Sequence, residues 1–138
     1  KPDPGYTPFQ FRTVEEIFSG ADVVSLHCPQ TETNVKFVDS NLLSTMKEDS
    51  FFINTARGGL VDEEALLKAL KMGIPRAAAT DVASNEPIND DNPLLGAPNL
   101  IITPHMAWAS REARGRLMKM SADNIVAFSN GEPINVVS

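Results

Sequence analysis

The chain has 138 residues, a net charge of −6 at pH 7 and a pI near 4.8. This acidic balance argues against a general nucleic-acid or anionic-membrane surface, because both partners require a basic face. With 42% hydrophobic and 22% charged residues, the composition is typical of one globular domain with its own core. The sequence carries no transmembrane run and no signal-peptide pattern, so we expect neither a nucleic-acid nor a membrane partner.

One cysteine, Cys28, is present. It cannot form an internal disulfide, and its setting between Leu26 and Pro29 favours a buried thiol over a nucleophile. We therefore expect a reducing compartment, the cytoplasm.

The first predicted elements are a short helix and a strand. Residues 1–11 hold three of the ten prolines and no periodicity, which predicts the end of a connecting segment. Thr13 and Glu16 form a capping box that opens a helix, and Gly20 ends it. The apolar run at 22–26 predicts a buried strand.

Two further helices have clear end signals. Asp39 or Ser40 caps the second helix, Asp62 caps the third, and Gly73 ends the third. The apolar residues that we expect to face the core are Leu42, Leu43 and Met46 for the second helix and Leu66, Leu67 and Leu70 for the third.

Three apolar runs, at 51–54, 77–82 and 100–103, predict parallel strands. A last helix starts near Ser110 and runs to Gly131, and its apolar residues are Leu117, Met120, Ile125 and Phe128. Strands that alternate with helices over short connections predict the α/β class, a parallel sheet with helices on both faces.

An ionisable residue follows each of these three strands: Arg57, Glu86 and His105. Because ligands of open parallel sheets gather at the carboxyl ends of the strands, we expect the three side chains to converge. Their chemistry indicates proton transfer to an anionic substrate beside a bound cofactor.

Neither G-x-G-x-x-G nor G-x-x-x-x-G-K-S/T occurs in the sequence. The later strands nevertheless have the pattern of the second half of a doubly wound nucleotide domain. We expect that the numbering begins after a glycine-rich first βαβ unit and that the chain is a piece of a longer protein. The alternative is a small independent α/β domain with a different ligand.

Three ordered motifs resemble one family. They are N-T-A-R-G-G-L-V-D at 54–62, Asp81-Val82 followed by Glu86-Pro87, and Thr103-Pro104-His105. Together they are similar to the signature of D-isomer-specific 2-hydroxyacid dehydrogenases, and the resemblance covers the chain from about Ala21 to its end.

Within that family, H-M-A-W-A-S at 105–110 and E-P-I-N-V-V at 132–137 look most like glycerate dehydrogenases, also called hydroxypyruvate reductases. Many relatives have two glycines where Ala107 and Trp108 stand. Transcriptional corepressors of the C-terminal-binding-protein type also carry Ala-Trp after this histidine, so they remain an alternative.

The resemblance implies the later part of a Rossmann-type NAD(P)-binding domain over residues 1–138, without the glycine-rich first βαβ unit and without the substrate-binding lobe. It implies an oxidoreductase that uses NAD or NADP to reduce a 2-oxo acid, such as hydroxypyruvate, to D-glycerate or a similar D-hydroxy acid. The full-length protein is expected to be a homodimer. We expect the 138 residues alone to be inactive; a third alternative is a scaffold domain without activity.

Arg57 offers a planar fork of donors that can grip a carboxylate and polarise the adjacent carbonyl. The flanking Gly58 and Gly59 are expected to let a ligand approach the backbone. The alternative is a turn arginine paired with Asp62.

His105 is predicted to donate a proton to the substrate carbonyl as hydride arrives. Its alternative is a histidine satisfied in the loop after Pro104. Glu86 is predicted to orient the imidazole and to favour its protonated form; alone it would be a surface glutamate.

The family's cofactor contacts correspond here to Cys28, Pro29, Asn34, Thr55, Ala56, Arg57, Asp81 and His105. Asp81 looks like the carboxylate that receives the nicotinamide carboxamide; its alternative is a cap or turn. For Cys28 and Asn34 the alternatives are packing and turn formation.

Trp108 is predicted as a hydrophobic wall at the substrate end, beside Arg57 and His105, and core packing is its alternative. No metal site is predicted. The choice between NAD and NADP stays open, because the residue that usually selects it would lie before Lys1.

Overall fold

The computed structural model describes residues 10–137, so most of the predicted connecting segment at 1–11 lies outside the described residues. The chain divides into two compact units, Lys1–Pro104 and His105–Ser138.

The first unit is built on a four-stranded parallel sheet. Its strands are β1 (Val23–Leu26), β2 (Phe51–Asn54), β3 (Ala77–Thr80) and β4 (Leu100–Ile102). They lie side by side in chain order, and every neighbouring pair is parallel. The predicted parallel α/β class is confirmed.

Three helices connect or precede these strands: α1 (Val14–Gly20), α2 (Ser40–Ser44) and α3 (Glu63–Met72). Their ends follow from local side chains. Thr13 and Glu16 form the predicted capping box, with Thr13 Oγ1 accepting from the Glu16 N–H at 3.1 Å. Asp39, rather than Ser40, caps α2, since its carboxylate accepts from the Leu42 N–H. 

Asp62 caps α3 in the same way, and Gly73 ends it with a φ of 81°. A left-handed residue at this position suits glycine, which has no Cβ to clash. Two short 3-10 turns, Gly58–Leu60 and Pro93–Gly96, complete the unit.

The core lies between the sheet and these helices. It includes alternate residues of the strands and the inner faces of the helices: Phe18, Val24, Leu26, Leu42, Leu43, Phe52, Leu66, Leu70 and Ala78. The rings of Phe18 and Phe52 stand 6.2 Å apart, so α1 packs directly on β2.

Two core assignments differ in detail from the sequence prediction. Met46 is buried, although it lies beyond the end of α2. Leu67 is only half-buried, and Ala65 and Ala69 are buried instead. The buried stripe of α3 is therefore rotated slightly from the one that its leucines alone predict, because small residues also favour close packing on the sheet.

Helices α1, α2 and α3 pack on the face of the sheet that carries Val24, Phe52 and Ala78. On the opposite face, Val23, Phe51 and Ile101 are exposed. Parallel strands are joined by right-handed crossovers, so successive steps in one direction place the connecting helices α2 and α3 on the same side.

The second unit carries α4 (Arg111–Ser129). Its predicted start is confirmed, because Ser110 Oγ accepts from the Ala113 N–H, and Gly131 follows its end with a φ of 79°. Its apolar residues Leu117, Met120, Ile125 and Phe128 are all exposed. An apolar pattern indicates which side chains favour burial but does not supply the surface that covers them.

No helix in the described part of the chain is both long enough and apolar enough to cross a membrane.

Candidate active site

Asn54 ends β2 and builds the turn that carries Arg57. The side chain is 2% exposed. Its Oδ1 accepts from the Ala56 N–H at 3.0 Å, and its Nδ2 donates to the Arg57 carbonyl at 3.0 Å. Because both ends of the buried amide are satisfied within residues 54–57, Asn54 fixes this segment, which we call the Arg57 turn.

Arg57 itself is exposed. Its Nη1 donates to the Ala56 carbonyl at 2.6 Å. In the alternative interpretation, Arg57 would pair with Asp62. Asp62 instead caps α3 through Oδ1, and its Oδ2 lies 3.7 Å from Lys36 Nζ. Since guanidinium has five N–H donors, most of the fork is left to bind an anion.

Gly58 and Gly59 lie close to protein atoms in the direction that a side chain would take. A Cβ at Gly58 would lie 2.0 Å from the Ala83 carbonyl carbon and 2.4 Å from the Ser84 nitrogen. A Cβ at Gly59 would lie 2.4 Å from the side-chain oxygen of Gln30. Gly58 therefore brings the Arg57 turn against the segment that follows β3.

Glu86 lies in that segment, which we call the Glu86 loop (residues 83–92). Its side chain is exposed, and its Oε1 accepts from the Ala83 N–H at 3.1 Å. The carboxylate thus closes a turn within the loop. The contact between Gly58 and Ala83 places the loop beside the Arg57 turn.

Asp81 is a buried carboxylate at the carboxyl end of β3, with 4% of its surface exposed. Its N–H donates to the Asn54 carbonyl at 2.9 Å, and its carboxylate accepts from the Thr103 hydroxyl. A buried carboxylate is tolerated when donors surround it. Asp81 is therefore held between the ends of β2 and β4, and it caps none of the helices α1 to α4.

The loop after β1 is closed by Asn34. Its Oδ1 accepts from the Thr31 N–H at 2.7 Å, and its Nδ2 donates to the Pro29 carbonyl at 2.9 Å. Asn34 therefore forms a turn, which is the alternative role that the sequence analysis gives it. Cys28 is half-buried and packs against the core, so the prediction of a buried thiol is only partly met.

In the second unit, His105 is half-buried and has a φ of 51°. This left-handed conformation is uncommon outside glycine and is frequent at functional sites. The His105 carbonyl accepts from Trp108 Nε1 at 2.8 Å, and the Ala109 N–H donates to the Met106 carbonyl at 2.9 Å. Trp108 is 53% exposed, so the core-packing alternative is wrong, and its indole fixes the turn after the histidine.

The first unit therefore joins the Arg57 turn, the Glu86 loop and Asp81 at one edge of the sheet. Sequence reasoning missed two residues that organise this edge, Asn54 and Thr103. Both are polar residues at the ends of apolar strands, and that position is the signal that could have found them. Within residues 10–137, no group of three His, Cys, Asp or Glu side chains is arranged to hold a metal ion.

The family follows from a match over most of the chain. Residues 3–107 match the model of the D-isomer specific 2-hydroxyacid dehydrogenase, NAD binding domain. The chain belongs to the D-isomer-specific 2-hydroxyacid dehydrogenase family. The predicted family and the predicted dinucleotide cofactor class are confirmed.

Similar members of the family include two named enzymes. A hydroxypyruvate reductase of Blautia hydrogenotrophica is 44% identical over 125 residues, which are 91% of this chain and 39% of that protein. A glycerate dehydrogenase of Methylorubrum extorquens is 48% identical over 126 residues, which are 90% of this chain and 40% of that protein. The chain thus spans about two fifths of the length of these relatives.

A solved member of similar structure is the D-lactate dehydrogenase of Lactobacillus jensenii with NAD+. The TM-score is 0.88 at 29% identity, and the match covers 100% of this chain and 46% of that one. This likeness confirms the Rossmann-type NAD-binding fold of the 2-hydroxyacid dehydrogenase family for this chain.

Proposed function

We propose that the chain is the later part of the NAD(P)-binding domain of a dehydrogenase that reduces a 2-oxo acid to a D-2-hydroxy acid, with hydroxypyruvate and D-glycerate as the first pair to test. The observation that carries this proposal is the edge of the sheet where the Arg57 turn, Asp81 and the Glu86 loop meet, on the fold of a dehydrogenase family. The names of the two similar relatives support the choice of substrate.

The residues at this edge fit a nicotinamide dinucleotide. Asp81 is buried, and a carboxylate offers about four acceptor sites, so it can take a carboxamide N–H in addition to the Thr103 hydroxyl. Bound NAD(P)H supplies the hydride for the substrate carbonyl carbon. The other residues that we propose to contact the cofactor are Cys28, Pro29, Asn34, Thr55, Ala56, Arg57 and His105.

Arg57 is proposed to bind the substrate. Its exposed guanidinium stands on a turn whose backbone Asn54 fixes, so the position of the Arg57 backbone is set before a substrate binds. Two parallel N–H donors match the two oxygens of a carboxylate, and a remaining donor polarises the adjacent carbonyl. Trp108 is proposed to bound the substrate side of the site.

His105 is proposed to donate the proton that the carbonyl oxygen receives during reduction, and to take it back in the reverse reaction. Its left-handed backbone and the bond from Trp108 fix the turn that follows it. Glu86 is proposed to orient the imidazole, because a carboxylate that accepts from one ring N–H fixes the direction of the other ring nitrogen.

The remaining parts of the dehydrogenase are proposed to lie in a longer protein, since the chain spans only about two fifths of its relatives. On this proposal residues 1–138 form a partial NAD(P)-binding domain, completed by a glycine-rich βαβ unit and a substrate-binding lobe. A cytoplasmic homodimer is the proposed form of the complete protein.

The test is NADH and NADPH oxidation by the complete protein with hydroxypyruvate, and with pyruvate for comparison, followed by absorbance at the nicotinamide band. We expect turnover by the complete protein and none by the 138-residue chain, which lacks the diphosphate and lobe contacts. Saturable NADH binding by the complete protein without turnover of any 2-oxo acid would contradict the proposal and favour the NAD-sensing corepressor.

A further inference from the structure

Glu63, the first residue of α3, is an acidic side chain with only 8% of its surface exposed. Its Oε1 accepts from the Ser84 N–H at 2.7 Å. Its Oε2 accepts from Ser84 Oγ at 2.7 Å and from Asn92 Nδ2 at 2.9 Å. A single carboxylate thus binds two residues that lie 21 and 29 positions further along the chain.

Burial of this carboxylate is not required by the helix alone. A negative charge in the first turn stabilises a helix through its macrodipole, and this favours acidic residues there whether or not they are buried. The next residue, Glu64, lies in the same turn and is exposed. Because a buried charge costs free energy unless donors satisfy it, the three bonds to Ser84 and Asn92 are what make the position of Glu63 favourable.

The two partners of Glu63 lie on either side of Glu86 within the Glu86 loop. Ser84 stands two residues before Glu86, and Asn92 stands six residues after it. Glu86 closes the first part of the loop through the Ala83 N–H, whereas Glu63 attaches both flanks to the start of α3. The position of Glu86 in space is therefore determined by a contact to a different element.

We propose that Glu63 is a positioning residue for Glu86. It attaches the Glu86 loop to α3 and keeps the loop against the Arg57 turn, where the absence of a Cβ on Gly58 allows the backbone of Ala83 and Ser84 to approach closely. This inference rests on the proposed function, because it assumes that Glu86 acts in the reaction. Glu63 touches neither substrate nor cofactor in this account.

The test compares Glu63→Gln with Glu64→Gln in the complete protein. Both variants remove one negative charge from the first turn of α3, so the effect on the helix dipole is matched. Glutamine has one acceptor oxygen and an N–H₂ group, so at position 63 it cannot accept from both the Ser84 N–H and the Asn92 amide.

For Glu63→Gln we expect at least about tenfold lower kcat with hydroxypyruvate and a KM for NADH within about twofold of wild type, because a small misplacement of a catalytic group mainly affects the chemical step. Hydrogen–deuterium exchange of residues 84–92 should be at least about tenfold faster, and Glu64→Gln should match wild type in all three measurements. Ser84→Ala, which removes the Oγ bond and keeps the other two, should shift exchange and kcat in the same direction by less. If Glu63→Gln folds poorly, this milder variant tests the inference in its place.

Unchanged kcat in an active Glu63→Gln enzyme, or unchanged exchange of residues 84–92, would overturn the inference. An equal effect of Glu64→Gln would also overturn it, because that result would assign the loss to helix charge. Absence of turnover in the wild-type complete protein would contradict the proposed function itself, so the two failures are distinguishable.

Discussion

Gly58 lies so close to Ala83 that a Cβ on the glycine would stand 2.0 Å from the alanine's carbonyl carbon. That carbon is backbone and has no rotamer by which to move away. Gly58→Ala should therefore force the Arg57 turn and the Glu86 loop apart and lower the free energy of unfolding by about 1–3 kcal/mol. Denaturant unfolding of the complete protein measures the loss.

Gly96→Ala is the matched control for that experiment, because a Cβ there meets nothing within 4 Å. We expect its unfolding free energy to stay within about 0.5 kcal/mol of wild type. Equal stability of the two variants would show that the chain can separate these segments without cost.

Arg57→Lys should lower kcat/KM for the 2-oxo acid at least about tenfold, equivalent to about 1.4 kcal/mol. A lysine is a point charge and cannot both grip a carboxylate with two bonds and polarise the carbonyl. Both kcat and KM should therefore change. Steady-state kinetics of the complete protein measure this, with Arg76→Lys as control, since Arg76 forms only an exposed pair with Asp49. Wild-type values of kcat and KM in Arg57→Lys would show that Arg57 has a structural role and does not bind the substrate.

Glu86→Gln should lower kcat for ketoacid reduction at least about tenfold and leave the KM for NADH within about twofold of wild type. The Glu86 carboxylate is proposed to orient the imidazole of His105, and a neutral amide holds an imidazole N–H less strongly than a carboxylate does. Steady-state kinetics of the complete protein measure both constants. Glutamine can still accept from the Ala83 N–H, so the turn of the loop is kept.

The exposed residue Glu48 supplies the charge-matched control, Glu48→Gln, which should leave both constants unchanged. If kcat stays at the wild-type value in Glu86→Gln, then Glu86 has no influence on the proton donor and is a surface carboxylate before Pro87.

Thr103→Val should weaken NADH binding about fivefold to tenfold, because it removes the hydroxyl that donates to Asp81 and leaves that buried carboxylate poorly held. Fluorescence titration of the complete protein measures the dissociation constant. Thr103→Ser keeps the hydroxyl and should bind NADH nearly as wild type does. Equal NADH affinities of the valine and serine variants would show that the bond from Thr103 to Asp81 does not contribute to cofactor binding.

Local features of the fold were predictable from sequence because their causes lie within a few residues. The caps by Thr13, Asp62 and Ser110 each depend on a side chain and an N–H two or three positions away. The left-handed end of α3 depends on Gly73 alone. The strands at 51–54 and 100–103 were found because a buried parallel strand has a short continuous apolar run.

Features that depend on distant contacts were not predictable. The burial of Glu63 depends on Ser84 and Asn92, and nothing in the first turn of α3 distinguishes Glu63 from Glu64. The role of Gly58 likewise depends on Ala83, in another loop. The ionisable residues of the candidate site could be predicted from the sequence. The roles of Asn54, which bonds Arg57, and Thr103, which bonds Asp81, are visible only in the structure.

The order of the strands also has a consequence for how the protein folds during synthesis. The paired positions Val24, Phe52, Ala78 and Leu100 follow one another along the chain, and each strand is added beside the one before it. Each of β2, β3 and β4 therefore finds its neighbour already made when the ribosome releases it, and none of them must be inserted between two strands of this set. From β1 to β4 the sheet extends one crossover at a time, with short sequence separations that favour rapid folding.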